Sequence, residues 1–240
     1  MVMDQDEKRL GKRVDYTPAP YPRGLSLEGQ RVKLEPLNRD HAASLHDAFS
    51  TSLDHAIWDF LPYGPFESGD AYGDWIEENT ENGDPHFFAI FDKDQQRFVG
   101  VASYLRIAPE AGSIEVGHIN FSPLMQGSVA ATETMFLMMQ WAFDVGYRRY
   151  EWKCNDLNIK SRKAAQRLGF SYEGIFRQAA LSKGRNRDTA WFAMIDAEWP
   201  ALKDAFEQWL DPQNFDEDGK QKTRLSELTA PIRVASDPKL

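Results

Sequence analysis

Cysteine is nearly missing from this chain of 240 residues, which carries only Cys154. A lone thiol permits no intrachain disulfide and excludes a cysteine-based zinc site. No apolar run approaches the roughly 18 residues a membrane-spanning helix needs, so no membrane partner is expected. Net positive charge is lacking too. The formal balance is -9, which argues against nucleic acid as the main partner, because a phosphate backbone asks for a basic face. No apolar stretch follows the charged opening residues Met1, Val2, Met3, Asp4, Gln5, Asp6, Glu7, Lys8 and Arg9, so no secretory signal is visible. A reducing, cytoplasmic setting is expected. His41, His46, His55 and His86 show no metal-ligand spacing, and no metal is expected. Two nucleotide motifs are absent as well: there is no G-x-x-x-x-G-K-[ST] and no G-x-G-x-x-G.

What is present is enough apolar content for a sizeable core, 42% of residues, in a length that suits one domain. Charge is uneven. Between Arg148 and Arg187 stand 11 basic and three acidic residues, a local +8 that leaves -17 on the rest of the chain. That window is either a solvated basic face or a surface that receives an anion.

Periodicity and turn chemistry set the expected elements. Residues 1–28 read as an N-terminal extension, whose Pro-rich run Thr17-Pro18-Ala19-Pro20-Tyr21-Pro22 is an extended or loop segment. A strand is expected over 31–37. Asn38 or Asp40 then caps a helix that runs to Phe49. Residues 51–66 read as irregular, and a helix follows over 68–81. Strands at 87–92, 98–107 and 113–121 are divided by turn signals and form an antiparallel meander. A helix over 130–145 ends at Gly146 as a left-handed cap. A strand at 149–154, a helix at 159–168 capped by Gly169, strands at 171–181 and 188–195, and a helix at 200–210 complete a domain of 29–210. Residues 211–240 are a polar tail. Strand–helix–strand after a meander gives an α+β (mixed α/β) fold with one parallel strand pair, and a ligand belongs at the carboxyl ends of neighbouring strands where the sheet changes direction.

The segment Gln126-Gly127-Ser128-Val129-Ala130-Ala131-Thr132-Glu133 lies there, between an apolar strand and a helix. Small residues let backbone approach a ligand, and a helix start offers unpaired N–H groups and a favourable dipole to an anion. Either a phosphate cradle or an ordinary strand-to-helix connection fits this segment.

Two further segments accompany it in order: Glu115-Val116-Gly117-His118-Ile119, and the run from Asn155-Asp156-Leu157-Asn158 through Ser161 to Leu168-Gly169-Phe170. Together the three resemble the GNAT superfamily of N-acetyltransferases, in particular the group of ribosomal-protein N-terminal (alanine and serine) acetyltransferases. The resemblance covers 31–196. It implies a central, mostly antiparallel sheet whose one parallel pair splays at the cofactor site, flanked by helices. It implies acetyl-CoA as cosubstrate, held by Ile119, Asn120, Phe121, Gln126, Gly127, Ser128, Val129, Ala130, Ala131, Thr132, Asn158 and Ser161. Backbone N–H near Ile119 and Phe121 would bond the pantetheine arm and polarise the thioester. Ser161 would hydrogen-bond or protonate the leaving sulfur, and Lys160, Arg162 and Lys163 would meet phosphates or form a solvated face.

The family turn reads Gln/Arg-x-x-Gly-x-Gly/Ala, whereas Val129 fills the middle glycine position here and Ala131 the last. A β-branched residue does not comfortably take positive φ. Either φ stays negative at Val129 or the cradle is altered.

His118 is a candidate base because an ordinary histidine titrates near pH 6.5; otherwise it is a bonded strand residue. Glu115 has the opposite parity, so the two face opposite sides unless a bulge intervenes. Cys154 reads as a buried structural thiol. Trp58, Asp59 and Tyr63 are candidate substrate residues, with Asp59 steering a cationic amine; the aromatic pair is otherwise a local cluster. The expected partner is a small-molecule or peptide amine, and the protein a monomer or homodimer. A catalytically inactive CoA-binding regulatory module is the second class, favoured by Val129.

Overall fold

The computed structural model describes residues 9–240. Residues 1–8, on which the absence of a signal was read, lie outside the described residues. Eight strands form a single sheet in the order β1-β2-β3-β4-β5-β6-β8-β7. They are β1 Leu27–Glu28, β2 Val32–Pro36, β3 His86–Asp92, β4 Arg97–Ala108, β5 Ser113–Phe121, β6 Arg149–Asn155, β7 Ser171–Ser182 and β8 Arg185–Ile195. Every neighbouring pair is antiparallel except β5–β6. The helices are α1 Ala42–Phe49, α2 Gly69–Thr80, α3 Val129–Asp144, α4 Ile159–Arg167, α5 Trp199–Leu210 and α6 Leu225–Thr229. Among the described residues no helix is long and apolar enough to cross a membrane.

Strand alternation feeds two cores. In β3, Phe88 and Ile90 enter the large core under α3 and α5, while Phe87 and Ala89 enter a smaller one with Leu45, Phe49, Tyr72 and Ile76 of α1 and α2. The second core is aromatic, and Trp58 sits in it among Phe49, Phe66 and Tyr72.

Local signals set the helix ends. Asn38 Oδ1 accepts from Asp40 N at 2.9 Å, and His41 Nδ1 accepts from Asn38 N at 3.1 Å, over one 3-10 turn that leads into α1. At the end of α3, Gly146 N bonds Phe143 O and Tyr147 N bonds Ala142 O, with Gly146 at φ +102°. The end of α4 repeats this pattern through Gly169 N to Gln166 O and Phe170 N to Ala165 O. Both are left-handed caps in which a glycine satisfies carbonyls the helix leaves open. Buried Glu133 of α3 accepts from the N–H groups of Gln30, Arg31 and Val32 at 2.8–3.0 Å, tying the β1–β2 turn to the helix.

Two segments differ from expectation. β8 starts at Arg185 rather than near 188, because the turn is confined to Lys183 and Gly184. Residues 211–240 are polar in composition but docked. Leu225, Thr229 and Asp237 are buried. Thr229 Oγ1 donates to Arg167 O, and Val234 N to Ser171 Oγ, each at 3.0 Å. The segment closes over the C-terminal end of α4, which the polar pattern alone does not disclose.

Candidate active site

The parallel pair β5–β6 is bonded only from Ser113–Arg149 to Val116–Trp152, although β5 runs on to Phe121 and β6 to Asn155. Beyond Val116 the strands part. The gap opens into a cleft of about 1820 Å³. Three of the sequence segments meet there: the end of β5, the start of α3 and the start of α4.

At the start of α3, Gly127 takes the left-handed backbone, φ +74°, and Ser128 caps the helix by accepting from Ala131 N at 3.1 Å. Val129 is the first helical residue and has no positive φ. The β-branch therefore meets no strain, and the departure from the family turn leaves the helix start intact. Among the described residues the N–H groups of Val129 and Ala130 have no protein acceptor, so with the dipole they form a site for an anion. Gln126, Gly127, Ser128, Val129, Ala131 and Thr132 line the cleft, while the Ala130 side chain points into the core.

Sequence reasoning missed a basic group at this end. Arg167 lines the cleft, donates to Thr132 Oγ1 at 3.2 Å, and lies 5.0 Å from the Trp209 ring centroid. Burial pushes its pKa below the usual arginine value. Lys220 and Arg224 of the docked C-terminal segment line the cleft as well. The local +8 was the signal for Arg167; nothing local marks the other two. Of the three basic residues expected beside Ser161, only Lys160 lines the cleft and Lys163 is exposed. Arg162 is neither phosphate ligand nor solvated face, because it is buried against Asp237 and Asp156.

At the start of α4, Asn158 Oδ1 caps the helix by accepting from Ser161 N at 3.0 Å. Ser161 Oγ accepts from Trp152 Nε1 at 3.0 Å, which leaves the hydroxyl proton for another acceptor. Burial pushes the neighbouring Cys154 thiol up to about 11. It stays protonated at neutral pH, as a structural thiol should.

The other wall is decided by a bulge. Val101 pairs with Asn120 and Ser103 with Gly117, so Ala102 faces both His118 and Ile119. His118 takes φ +49°. The extra residue turns its ring to Tyr63 and Phe87, on the face Glu115 already occupies. Both residues line the cleft with Ile119, Asn120 and Phe121, and the parity conflict disappears.

His118 Nδ1 lies 3.2 Å from Tyr63 Oη. Burial, with the charges of Arg106 and Arg187, pushes its pKa down to about 4. A base role requires Nδ1–H to donate to Tyr63, leaving the Nε2 lone pair free. The acidic limb of a pH–rate profile then falls near pH 4 and not at 6–7. His118→Gln is expected to remove that limb if the ring takes the proton. If His118 only packs, the variant loses stability and keeps the limb. Because the folded ring resists protonation, its contribution to stability declines as pH falls from about 6.5 towards the folded value.

Glu115 is buried between Arg106, at 2.7 Å, and Lys153, at 2.8 Å. Burial raises its carboxyl above the ordinary glutamate range, while the two cations oppose the rise. Of the expected substrate residues, Asp59 is exposed at the cleft, and Tyr63 reaches it through His118. Trp58 is buried behind them. Lys183, at the β7–β8 turn, donates to Trp58 O and Gly64 O at 2.9 Å each, so the hairpin roofs this end. Among the described residues no group of three or more His, Cys, Asp or Glu could hold a metal ion.

A splayed parallel pair beside a helix start that presents free N–H groups defines a class, and comparison with known proteins agrees. The sequence model of the acetyltransferase (GNAT) domain matches residues 31–171. The chain belongs to this GNAT acetyltransferase family and is an acetyl-CoA-dependent acyltransferase. A solved GCN5-related N-acetyltransferase from Brucella melitensis is 45% identical, with a TM-score of 0.87 over 90% of this chain and 99% of that one. A GNAT-family structure from Chromobacterium violaceum is 39% identical, with a TM-score of 0.74 over 79% of this chain and 96% of that one. The ribosomal-protein-serine acetyltransferase of Escherichia coli is 30% identical over 116 residues, 48% of this chain and 63% of its own.

Proposed function

We propose that the protein transfers an acetyl group from acetyl-CoA directly to a primary amine, carried by a small molecule, an amino acid or a peptide N-terminus, in the cytosol. The observation that carries this is the meeting, in one cleft, of the parted β5–β6 edge, the free N–H groups of Val129 and Ala130, and the Ser161 hydroxyl. The Val129 and Ala130 amides and Arg167 hold the diphosphate, with Lys220 and Arg224 beside them. The β5 backbone from Ile119 to Phe121 receives the pantetheine arm. Acetyl-CoA supplies an activated thioester. Ser161 offers its hydroxyl proton to the departing sulfur. His118 or Glu115 takes the amine proton, directly or through water, and Asp59 draws the ammonium form of the substrate to the mouth.

Thermal shift and thiol release test this together. Acetyl-CoA should raise the melting temperature by mass action, and ATP or NAD should do so far less. An amine panel should release thiol. Ser161→Ala should lower kcat about tenfold to a hundredfold with little change in the KM for acetyl-CoA, since general catalysis contributes about 10²–10⁴ and a thiolate leaves fairly readily. The absence of any shift at millimolar acetyl-CoA would overturn the proposal.

A further inference from the structure

Arg187 stands on β8 in the cleft, and among the described residues its buried Nε has no hydrogen-bond partner. β6 and β8 pair Lys153 with Trp191 and Asn155 with Thr189. Alternation then puts Arg187 on the face of Trp191 and Lys153. β4 and β5 place Asn120 opposite Val101, which packs into the α1–α2 core. Arg187, Asn120 and His118 therefore line the same half of the cleft, away from the α3 helix start, and the Arg187 charge helps to hold the His118 ring neutral.

The other cations of that floor are matched. Arg106 and Lys153 pair with Glu115, and Lys153 also with Glu151 at 2.7 Å. Arg187 is not: its Nε is buried without an acceptor, and among the described residues no carboxylate pairs with its guanidinium. In the same cleft, Asn120 is 3% exposed, and among the described residues neither its Oδ1 nor its Nδ2 has a partner. Buried polar groups left unpaired cost free energy, more so when charged. A purely cationic acceptor would leave Arg187 unmatched and be repelled by it. An acceptor that carries an anionic oxygen near its amine would satisfy both groups.

We propose that the acceptor amine bears an oxyanion, a carboxylate or phosphate, which the Arg187 guanidinium binds while Asn120 hydrogen-bonds the same ligand. This rests on the acetyl-transfer function proposed above. Arg187 belongs to the basic 148–187 window, so the charge here is opposite in sign to that of the chain as a whole.

Matched acceptors test it by thiol release: amino acids against their amides for a carboxylate, and phosphoethanolamine against ethanolamine for a phosphate. One anionic arm is expected to exceed its neutral partner about tenfold to a hundredfold in kcat/KM, the scale of a charge-assisted hydrogen bond. Arg187→Gln should narrow that ratio towards one by raising the KM of the anionic acceptor, and Arg187→Lys should retain part of it. The melting temperature and the KM for acetyl-CoA serve as references. A preference for neutral amines, a ratio untouched by Arg187→Gln, or a rise confined to the acetyl-CoA KM overturns the proposal. Where no amine turns over but acetyl-CoA binds, calorimetric titration of the same pairs into the CoA-loaded protein decides. Tighter anion binding lost in Arg187→Gln supports the proposal, and equal or absent binding overturns it. Failure to bind acetyl-CoA at all strikes the acetyl-transfer function itself, and this inference with it.

Discussion

Ala131→Glu is expected to abolish acetyl-CoA binding while the protein stays folded. Ala131 lies in the first turn of α3 on the cleft wall, and its N–H is already capped by Ser128. A carboxylate there takes the positive pole of the helix that the diphosphate would use. Like charges about 4 Å apart at a surface-like dielectric repel by about 4 kcal/mol, or roughly a thousandfold in affinity. The same carboxylate suits a helix N-terminus, so α3 itself is not weakened. Calorimetry gives the loss, a melting curve shows the fold, and Ala131→Gln separates charge from bulk. Unchanged affinity in the Glu variant would move the phosphate site away from α3.

Asp237→Ala should cause the largest loss of stability. Arg162 has no exposed surface. Its Nε and Nη2 donate to Asp237 at 2.6 and 2.5 Å, and its Nη1 to the carboxylate and carbonyl of Asp156. Removing one partner of a buried pair strands a charge and costs about 3–5 kcal/mol. For a chain of this size that lowers the melting temperature by about 10 °C. The neighbouring Asn158 and Ser161 share the helix Arg162 anchors, so the KM for acetyl-CoA should rise as well. Lys239→Ala, which removes an exposed cation from Asp156, should cost under about 1 kcal/mol. A melting temperature equally insensitive to both variants would show that Asp237 does not hold the helix. Burial alone would raise the Asp237 carboxyl, but Arg162 overcomes this and holds it below the ordinary range. The stability it contributes is therefore complete above about pH 4 and disappears as pH falls through the lowered folded value.

Much of this molecule is legible in short stretches of sequence. Gly146 and Gly169 end their helices because a left-handed cap needs a residue without Cβ within one turn of the last carbonyls. β3 shows two cores through simple alternation. The helix starts after Ser128 and Asn158 are visible because a capping side chain reaches only two or three residues ahead. The three motifs follow in the order the cleft requires.

The chemistry of the acceptor side is not local in this way. Glu115 and His118 share a face only because β5 carries one more residue than β4 between two paired positions, and the extra residue is apparent only once the register is known. Arg162 reads as a solvated helix residue until Asp237, 75 positions further on, folds back against it. Lys220 and Arg224 reach the cleft by the same docking. The ring of His118 becomes a poor proton acceptor because of burial and the charges of Arg106 and Arg187, which come from two other strands. By itself the sequence determined the elements, their caps, the family and the two helix starts that border the cleft, since those depend on contacts within a few residues. Only the tertiary structure decided which charges are paired and which, like Arg187 among the described residues, are not, because pairing depends on side chains that meet across strands and across the chain.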